Sequence, residues 1–358
     1  MSQRYSLLWP GAALAIGSAA LFGASTPFAK LLLGGGVDPW LLAGLLYLGS
    51  GLGLAASYLV RLISGRAPTE TPLHRSDLPW LGLVILTGGV VGPVLLMLGL
   101  AETNASAASL LLNLEGLATM AIAWLVFREN VDRRVMIGAL AILGGAVLLS
   151  WESGPAGGIG WGAIAIAGAC LAWGIDNNLT RKLSAADPVQ IAMVKGLVAG
   201  TVNLGLAFLV AGAGVPSFGE TAATALLGLG SYGISLVLFV LALRHLGTAR
   251  TGAYFSTAPF IGAVLAMLLF DDPLTLRLLL AAALMVFGVY LHLAEMHQHE
   301  HTHEVFEHDH RHVHDEHHRH EHGPDDAPGE PHAHRHRHAP LLHKHPHYPD
   351  LHHRHEHS

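Results

Sequence analysis

The chain has 358 residues, of which 51% are hydrophobic and only 13% are charged, and its mean hydropathy is +0.44. This composition excludes a water-soluble enzyme, whose surface needs many more charged side chains, and it indicates a protein that crosses a membrane several times. The formal charge of -6 belongs to the C-terminal tail, because residues 1–295 hold 14 basic and 14 acidic side chains, whereas residues 296–358 hold 6 and 12.

Apolar runs of about 20 residues, the length needed to cross the hydrocarbon of a bilayer, follow one another along the chain. The first run is too long for a signal-peptide core and lacks a small-residue cleavage site, so we interpret it as a retained span. The ten runs predict spans at residues 9–33, 40–62, 79–100, 105–127, 134–151, 160–180, 188–210, 222–245, 251–270 and 277–294.

Basic residues concentrate in alternate loops between these runs. Only Lys30 and Arg277 lie at the edges of the other loops. By the positive-inside rule, the basic side faces the cytoplasm, so we expect a multi-pass protein of a bacterial-type plasma (inner) membrane with both termini cytoplasmic. The basic side carries Arg4, Arg61, Arg66, Arg75, Arg128, Arg133, Arg134, Arg181, Lys182, Arg244 and Arg250.

A repeat of about 150 residues relates the two halves of the chain. Each half holds five runs, and an odd number would insert the second half upside down relative to the first. Inverted repeats of this kind are the plan of many secondary transporters, whose solute site lies near the midplane between the halves. The matching pairs are FGASTPFAK (22–30) with WGIDNNLTR (173–181), Asp38–Pro39 with Asp187–Pro188, and FREN (127–130) with FDDP (270–273).

Three motifs carry a family resemblance: an aromatic–glycine pair in the first run, a fourth run that ends in Phe-x-Glu, and the following GALAILGGAVLL (138–149). Over residues 1–293 the chain resembles the EamA family of the drug/metabolite transporter superfamily. The resemblance implies a ten-helix bundle that exports or exchanges small solutes, often metabolites or amino acids.

The expected fold class follows from the repeat and the resemblance together. We expect an all-α integral membrane protein with ten transmembrane helices, arranged as two inverted five-helix repeats at residues 1–153 and 154–295. A disordered His-rich cytoplasmic tail would follow at residues 296–358.

The fourth run of each half contains one position at which the two halves differ. Members of this family commonly carry a proline in the middle of this span, as the second half does with Pro259. The aligned position of the first half is Glu115. A charged side chain at the bilayer centre costs about 2.5–3.5 kcal/mol on insertion scales, so it normally faces the bundle interior and marks a functional site.

Two further ionisable side chains lie inside predicted spans. Asp176 and Lys195 fall at similar depth, so an ion pair between them is geometrically possible. It would be either structural or functional, and Lys195 has the alternative of reaching the nearby interface. Glu115 lies deeper and would be the unpaired group available to a cation or a proton. Its alternative is a protonated, hydrogen-bonded carboxyl group.

The remaining candidates for a solute or coupling-ion site are polar neighbours of Glu115. Asn113, Asn177 and Asn178 are expected near its carboxyl group, and the repeat alignment places Tyr254 opposite it. Gly88 with Gly92 has the small-xxx-small spacing of close helix packing.

The sequence holds no phosphate-binding loop of the G-x-x-x-x-G-K type and no plausible set of nucleophile, base and orienting group. We therefore expect no enzymatic activity, no ATP-driven transport and no required cofactor. The expected partners are a small-molecule or ion substrate and the lipid bilayer, not nucleic acid, and a homodimer is possible.

The tail after residue 295 holds 23 of the 26 histidines. Its H-x-H pattern brings imidazoles within reach of one ion, and neutral imidazole suits Zn, Ni and Co. The alternative is a proton buffer or pH sensor, because histidine titrates near pH 6.5. The candidate ligands are His297, His299, His301, His303, His308, His310, His312, His314, His317, His318, His320 and His322.

Two functions stay open at this stage. The first is a secondary transporter, expected to be an exporter, of a small metabolite-like solute coupled to a proton or another ion. The second is a transition-metal transporter for Zn, Ni or Co whose tail captures or senses the metal. The predicted spans contain almost no thiol or imidazole ligands, only Cys170 inside a span and His245 and His292 at span ends, which weakens the second. A metal sensor that does not transport is a third class.

Overall fold

The computed structural model describes residues 2–65, 72–127, 133–152, 158–180, 183, 186–246 and 248–293, together with residues 297–302, 307–312, 332–337 and 342–347 of the tail. Before the tail, the regular secondary structure of the described residues is helical except for two two-residue strands. These strands, β1 (Trp151–Glu152) and β2 (Gly158–Ile159), pair antiparallel.

The helices of the first half follow the predicted runs closely, because apolar residues fill each run. The third run is interrupted by a π-helical segment, Ile85–Val91, and the fourth run is broken into two helices. The helices are α1 (Ser2–Gly34), α2 (Pro39–Ile63), α3 (Leu78–Val84), α4 (Gly92–Glu102), α5 (Ala105–Leu111), α6 (Leu114–Phe127) and α7 (Arg133–Ser150).

The second half has the same order of elements. A π-helical segment, Leu229–Ile234, interrupts its third run, and its fourth run is also broken. The helices are α8 (Trp161–Thr180), α9 (Pro188–Leu209), α10 (Phe218–Gly228), α11 (Ser235–Leu246), α12 (Thr248–Phe255), α13 (Ala258–Phe270) and α14 (Leu276–Leu293).

Seven helical stretches of the described residues are long and apolar enough to cross a membrane. The helix α8 is not among them, since its polar end, Asp176 to Asn178, lowers its hydropathy. The total of ten spans therefore stays a prediction. The seven are Gly11–Gly34, Pro39–Ile63, Arg75–Glu102, Ala105–Val126, Arg133–Ser150, Pro188–Leu209 and Phe218–Phe239, and shorter apolar helices occupy Ala258–Phe270 and Leu276–His292.

The second helix of each half begins in the same way. The Asp38 carboxylate accepts hydrogen bonds from two backbone N–H groups in the first turn of α2, and Asp187 accepts one in the first turn of α9. Pro39 and Pro188 follow as the first helical residues. An acidic N-cap satisfies free N–H groups, and proline is favoured at N1 because it has no N–H to satisfy. The repeated Asp-Pro pair is therefore a helix start.

The fourth run of each half is broken where the sequence predicts a continuous span. A turn at residues 112–113 separates α5 from α6, and a turn at residues 256–257 separates α12 from α13. Pro259 lies in the first turn of α13, and Glu115 occupies the same position in α6. Proline and carboxylate are both favourable in the first turn of a helix, the latter because it faces the positive end of the helix dipole.

The helices α2 and α9 pack against each other through small residues near the centre of the bundle. A Cβ atom added at Gly196 would lie 2.7 Å from the backbone nitrogen of Gly51, and one added at Gly200 would lie 2.5 Å from the nitrogen of Leu48. Glycine is required at both positions because the two backbones approach this closely.

The described tail residues form two antiparallel ribbons, whereas the sequence predicts disorder. Strand β3 (His297–Thr302) pairs with β6 (Leu342–His347), and β4 (Glu307–His312) pairs with β5 (His332–Arg337). The difference has a physical reason, because H-x-H alternation has the two-residue period of a strand. Since an isolated two-stranded ribbon is marginally stable in water, the ribbons supply no core.

Candidate solute site

The π-helical segment Ile85–Val91 is the first polar centre of the bundle. Tyr47 donates its hydroxyl hydrogen to the Gly88 carbonyl at 2.7 Å, and the Trp173 indole N–H donates to the same oxygen at 3.0 Å. The Asn203 amide donates to the Gly89 carbonyl at 2.9 Å. A π-helix displaces the usual backbone pairing, so its carbonyl groups need partners from other helices. Helices α2, α8 and α9 are thereby tied to this segment.

Asp176 and Lys195 form the ion pair that their similar depth makes possible. The ammonium nitrogen of Lys195 lies 2.5 Å from one carboxylate oxygen of Asp176. Thr180 donates its hydroxyl hydrogen to the other carboxylate oxygen at 3.3 Å. Asp176 is buried and Lys195 is partly buried, so each charge depends on the other for its stability in the bundle.

Gly88 makes room for this ion pair. A Cβ atom at residue 88 would lie only 2.1 Å from a carboxylate oxygen of Asp176. Gly92, one turn later, makes equivalent room for the indole of Trp173, whose nitrogen would lie 2.7 Å from an added Cβ. The glycine spacing read from the sequence as close helix packing is confirmed, and it accommodates side chains from α8.

Glu115 lies in the first turn of α6 and is partly buried. The Asn177 amide donates to its carboxylate at 3.0 Å and to the Thr119 hydroxyl at 3.2 Å. Asp176 and Lys195 lie within electrostatic range of Glu115. In the part of the chain that the structure describes, no cation forms an ion pair with Glu115. We call Glu115, Asp176 and Lys195 the charged group.

The two other candidate asparagines, Asn113 and Asn178, donate hydrogen bonds to backbone carbonyl groups and not to the Glu115 carboxylate. Asn178 is buried and donates to the carbonyl groups of Thr119 and Gly174 at 3.0 and 2.8 Å, which joins α8 to α6. Asn113 donates to the Leu110 carbonyl at 2.8 Å, and so stabilises the turn between α5 and α6. Of the three, Asn177 is the one that contacts the Glu115 carboxylate.

Five aromatic rings in the bundle form what we call the aromatic cluster. The centroids of neighbouring rings are 4.9 to 5.9 Å apart, the spacing of favourable edge and tilted contacts. Tyr47 and Tyr232 lie within electrostatic range of Glu115, so the cluster adjoins the charged group. Its ring order is Tyr47, Tyr232, Phe22, Phe255 and Phe239.

Tyr254 was the sequence candidate on this side. It lies in the last turn of α12, is 36% exposed, and accepts hydrogen bonds through its backbone carbonyl from Thr257. Its neighbour Phe255 is the residue that joins the aromatic cluster. A role for Tyr254 in solute binding stays a prediction.

Polar contacts close the bundle near the loop between α1 and α2. The Lys30 ammonium group donates to the carbonyl groups of Leu100 and Ala101 at the end of α4, at 2.7 and 3.0 Å. Asp272 accepts hydrogen bonds from the backbone and the hydroxyl of Ser106, at 3.1 and 2.7 Å. The contacts of Lys30 join elements of the first half, and that of Asp272 joins the two halves.

A second closure lies near the other end of α2. Gln190 accepts a hydrogen bond from the Leu73 N–H and donates to the Tyr58 hydroxyl, both at 3.2 Å. An apolar cluster of Leu81, Val84 and Ile191, among others, packs beside it. Contacts between the two halves therefore lie on both sides of the charged group. Those of Asp272 lie near the start of α2, and those of Gln190 lie near its end.

The structure describes only half of the candidate metal ligands of the tail. His303, His314, His317, His318, His320 and His322 lie outside the described residues, and the other six are described only as strand backbone. Among the residues searched, which are those that the structure describes, no group of three His, Cys, Asp or Glu side chains could hold a metal ion.

Comparison with known proteins identifies the family. The EamA-like transporter family matches residues 9–151 and again residues 160–294. A curated relative from Methanothermobacter thermautotrophicus, described as an uncharacterized transporter, is 29% identical over 240 residues, which are 65% of this chain and 70% of the relative.

A solved crystal structure shares the fold. It superposes with a TM-score of 0.55 at 20% identity, over 77% of this chain and 95% of the other. The family resemblance inferred from sequence motifs is confirmed by the two matches, which together cover most of the chain before the tail. The chain therefore belongs to the EamA-like transporter family and is a multi-pass membrane transporter.

Proposed function

We propose that this transporter is a secondary active exporter of a small metabolite-like solute, which works by alternating access and is coupled to a proton or another ion. The observation that carries the proposal is the partly buried Glu115 carboxylate, held by Asn177 beside the Asp176–Lys195 pair. A carboxylate within a membrane bundle binds a cation, a proton or a solute group by default. The exposed side chain of Asn177 is consistent with water reaching this point.

Alternating access requires two units that move relative to each other. We propose ten spans in two inverted repeats, with the solute site between them. In support, the family matches the chain twice, and both halves share an Asp-Pro helix start, a π-helical segment and a broken fourth run. Discontinuous helices at corresponding positions of two halves are the usual location of transporter binding sites.

The two closures of the bundle support this mechanism. Asp272 with Ser106 joins the halves beyond one side of the charged group, and Gln190 with Leu73 joins them beyond the other. A transporter opens one closure at a time, so that the solute never meets an open channel. We further propose that the Gln190 closure faces the cytoplasm, because the basic loops of the sequence lie on that side.

The transport experiment uses the full chain in proteoliposomes with an imposed pH gradient. The vesicles receive a defined mixture of amino acids, amines, nucleosides, sugars and organic acids with Zn, Ni and Co, and the lumen is analysed by mass spectrometry. The test variant is Glu115→Gln, which keeps the shape of the side chain. The matched control is Glu220→Gln at the start of α10, where Glu220 caps its own helix.

We expect at least one solute to accumulate saturably and in proportion to the pH gradient, with loss in Glu115→Gln and retention in Glu220→Gln. If nothing accumulates with folded protein, or if Glu115→Gln transports as well as the parent chain, the proposal is wrong. If only Zn, Ni or Co accumulates, the metal transporter suggested by the tail composition replaces the metabolite exporter.

A further inference from the structure

The charges around the site do not cancel. The charged group holds two carboxylates and one ammonium group, and the ammonium group of Lys195 lies on Asp176 at 2.5 Å. Asn177 gives Glu115 a hydrogen bond but no charge. Within the described residues, one negative charge is therefore left on Glu115. A partly buried carboxylate without a counter-charge is costly, so it is neutralised either by a proton or by an occupant of the site that carries one positive charge.

The aromatic cluster adjoins the charged group, because Tyr47 bonds to Gly88, which lies beside the Asp176 carboxylate. Tyr232 lies between two other rings of the aromatic cluster, 5.2 Å from the ring of Tyr47 and 5.9 Å from the ring of Phe22. Aromatic rings attract an adjacent cation and also bury apolar groups.

Corresponding positions of the two halves carry unlike side chains at this site. Asp176 and Glu115 occupy the positions that hold Ser25 and Pro259 in the other half, while Tyr232 falls where the first half has Gly88. Both halves contribute to each part of the site: Glu115 and Phe22 lie in the first half, whereas Asp176 and Tyr232 lie in the second. A ligand matching the charged group and the aromatic cluster has a charged end and an apolar end.

We propose that the solute is a small primary amine with an apolar group, in which the ammonium group binds Glu115 and the apolar group contacts Tyr232 and Phe22. A free amino acid fits less well, since its carboxylate would need Lys195, which Asp176 already holds. This inference rests on the proposed function and specifies the substrate class of the same site.

The test measures equilibrium binding to the full chain in lipid nanodiscs, because binding is not affected by the leakage of neutral amines through lipid. The probes are phenethylamine, hexylamine, phenylalanine and N-acetylphenethylamine. Phenylalanine adds a carboxylate to the amine, and the acetyl group removes the positive charge without removing the ring. The variants are Glu115→Gln and Tyr232→Leu. The matched control is Tyr290→Leu, whose side chain is 64% exposed on α14.

We expect saturable binding of phenethylamine, with hexylamine several-fold weaker and phenylalanine and the acetylated probe at least tenfold weaker. Glu115→Gln should weaken phenethylamine at least tenfold and Tyr232→Leu several-fold, while Tyr290→Leu binds as the parent chain does. The inference is overturned if neither amine binds to folded protein, if phenylalanine binds as tightly as phenethylamine, or if Glu115→Gln has no effect.

The transport mixture separates this inference from the broader proposal. Accumulation of an amino acid, an organic acid or a sugar by the parent chain leaves secondary transport in place and removes the amine assignment. Accumulation of no solute at all removes both.

Discussion

Two charged residues of this transporter depend on each other. Asp176 is buried, and its carboxylate is held by Lys195 and Thr180, so removing one charge leaves the other without a partner. Breaking one side of a buried ion pair costs about 3–5 kcal/mol, whereas replacing both charges is often nearly neutral. The pair can therefore be tested for a structural role separately from a role in transport.

The first prediction concerns this pair. Asp176→Asn and Lys195→Met should each lower the thermal stability of the purified protein strongly, and the double variant should recover most of it. The measurement is the fraction that stays monodisperse in size-exclusion chromatography after heating. If the double variant regains stability but not transport, the pair takes part in the mechanism. Equal losses in all three variants would contradict the predicted coupling.

A second prediction concerns the space beside the pair. Gly88→Ala places a methyl group 2.1 Å from an Asp176 oxygen, so it should displace Asp176 and destabilise the protein by about 1–3 kcal/mol, the usual cost of overpacking. Gly82→Ala in the same run is the control, because a Cβ at residue 82 meets nothing within 4 Å. Equal heat resistance of the two variants would show that residue 88 has more room than the structure describes.

At the scale of elements, the two broken runs have the same backbone arrangement, although different residues form it. The helix α13 restarts with Pro259 in its first turn, and α6 restarts with Glu115 at the same place. A charged side chain is therefore not needed for a helix to begin again after the break, because α13 does so with Pro259. The carboxylate of Glu115 is available for binding, which supports reading it as a functional residue.

This separation gives a third prediction. Glu115→Pro should still fold, with a loss of about 1 kcal/mol, because its N–H makes only one turn hydrogen bond, to Leu112. Ala121→Pro, in the interior of α6, should cost about 3 kcal/mol or more. The measurement is the yield of monodisperse protein. A Glu115→Pro protein that fails to fold while Ala121→Pro folds would overturn this account of the broken run.

At the scale of the whole molecule, the helical part and the tail differ in composition. The acidic excess lies in residues 296–358, and the last described helix contact before the tail is His292, which bonds with the Val135 carbonyl at 3.0 Å. A chain stopped after Glu295 keeps every helix contact described above. The tail is therefore expected to modify transport rather than to create it.

The fourth prediction tests this division. The chain stopped after Glu295 should keep the solute accumulation of the full chain and lose most binding of Zn, Ni and Co, measured by equilibrium dialysis. Below about pH 5.5 the full chain should also release these metals, because protonated imidazole does not bind them. Metal binding that survives truncation would locate a site in the helical part instead.

The sequence was sufficient for some of these features because they depend on nearby residues. Hydropathy predicts where helices lie, Asp-Pro pairs predict where two of them begin, and depth along the helix predicts the pairing of Asp176 with Lys195. The breaks at residues 112–113 and 256–257 were not predicted, since an apolar run is compatible with either a continuous or a broken helix.

The contacts that shape the site were also not predicted. Tyr47, Gly88 and Trp173 meet although they lie far apart in the chain, and the π-helical segments have no sequence rule of their own. The available signal was the spacing of Gly88 and Gly92 in an apolar run, which indicates close approach but not what approaches.

The difference between Glu115 and Pro259 also limits how such a protein can be assembled. Two identical five-helix chains would place either two carboxylates or two prolines at these positions, and so either two negative charges or none. A site with one unmatched negative charge therefore requires two unlike halves. Joining them in one chain fixes their ratio at one to one, so every molecule that is synthesised carries a single complete site.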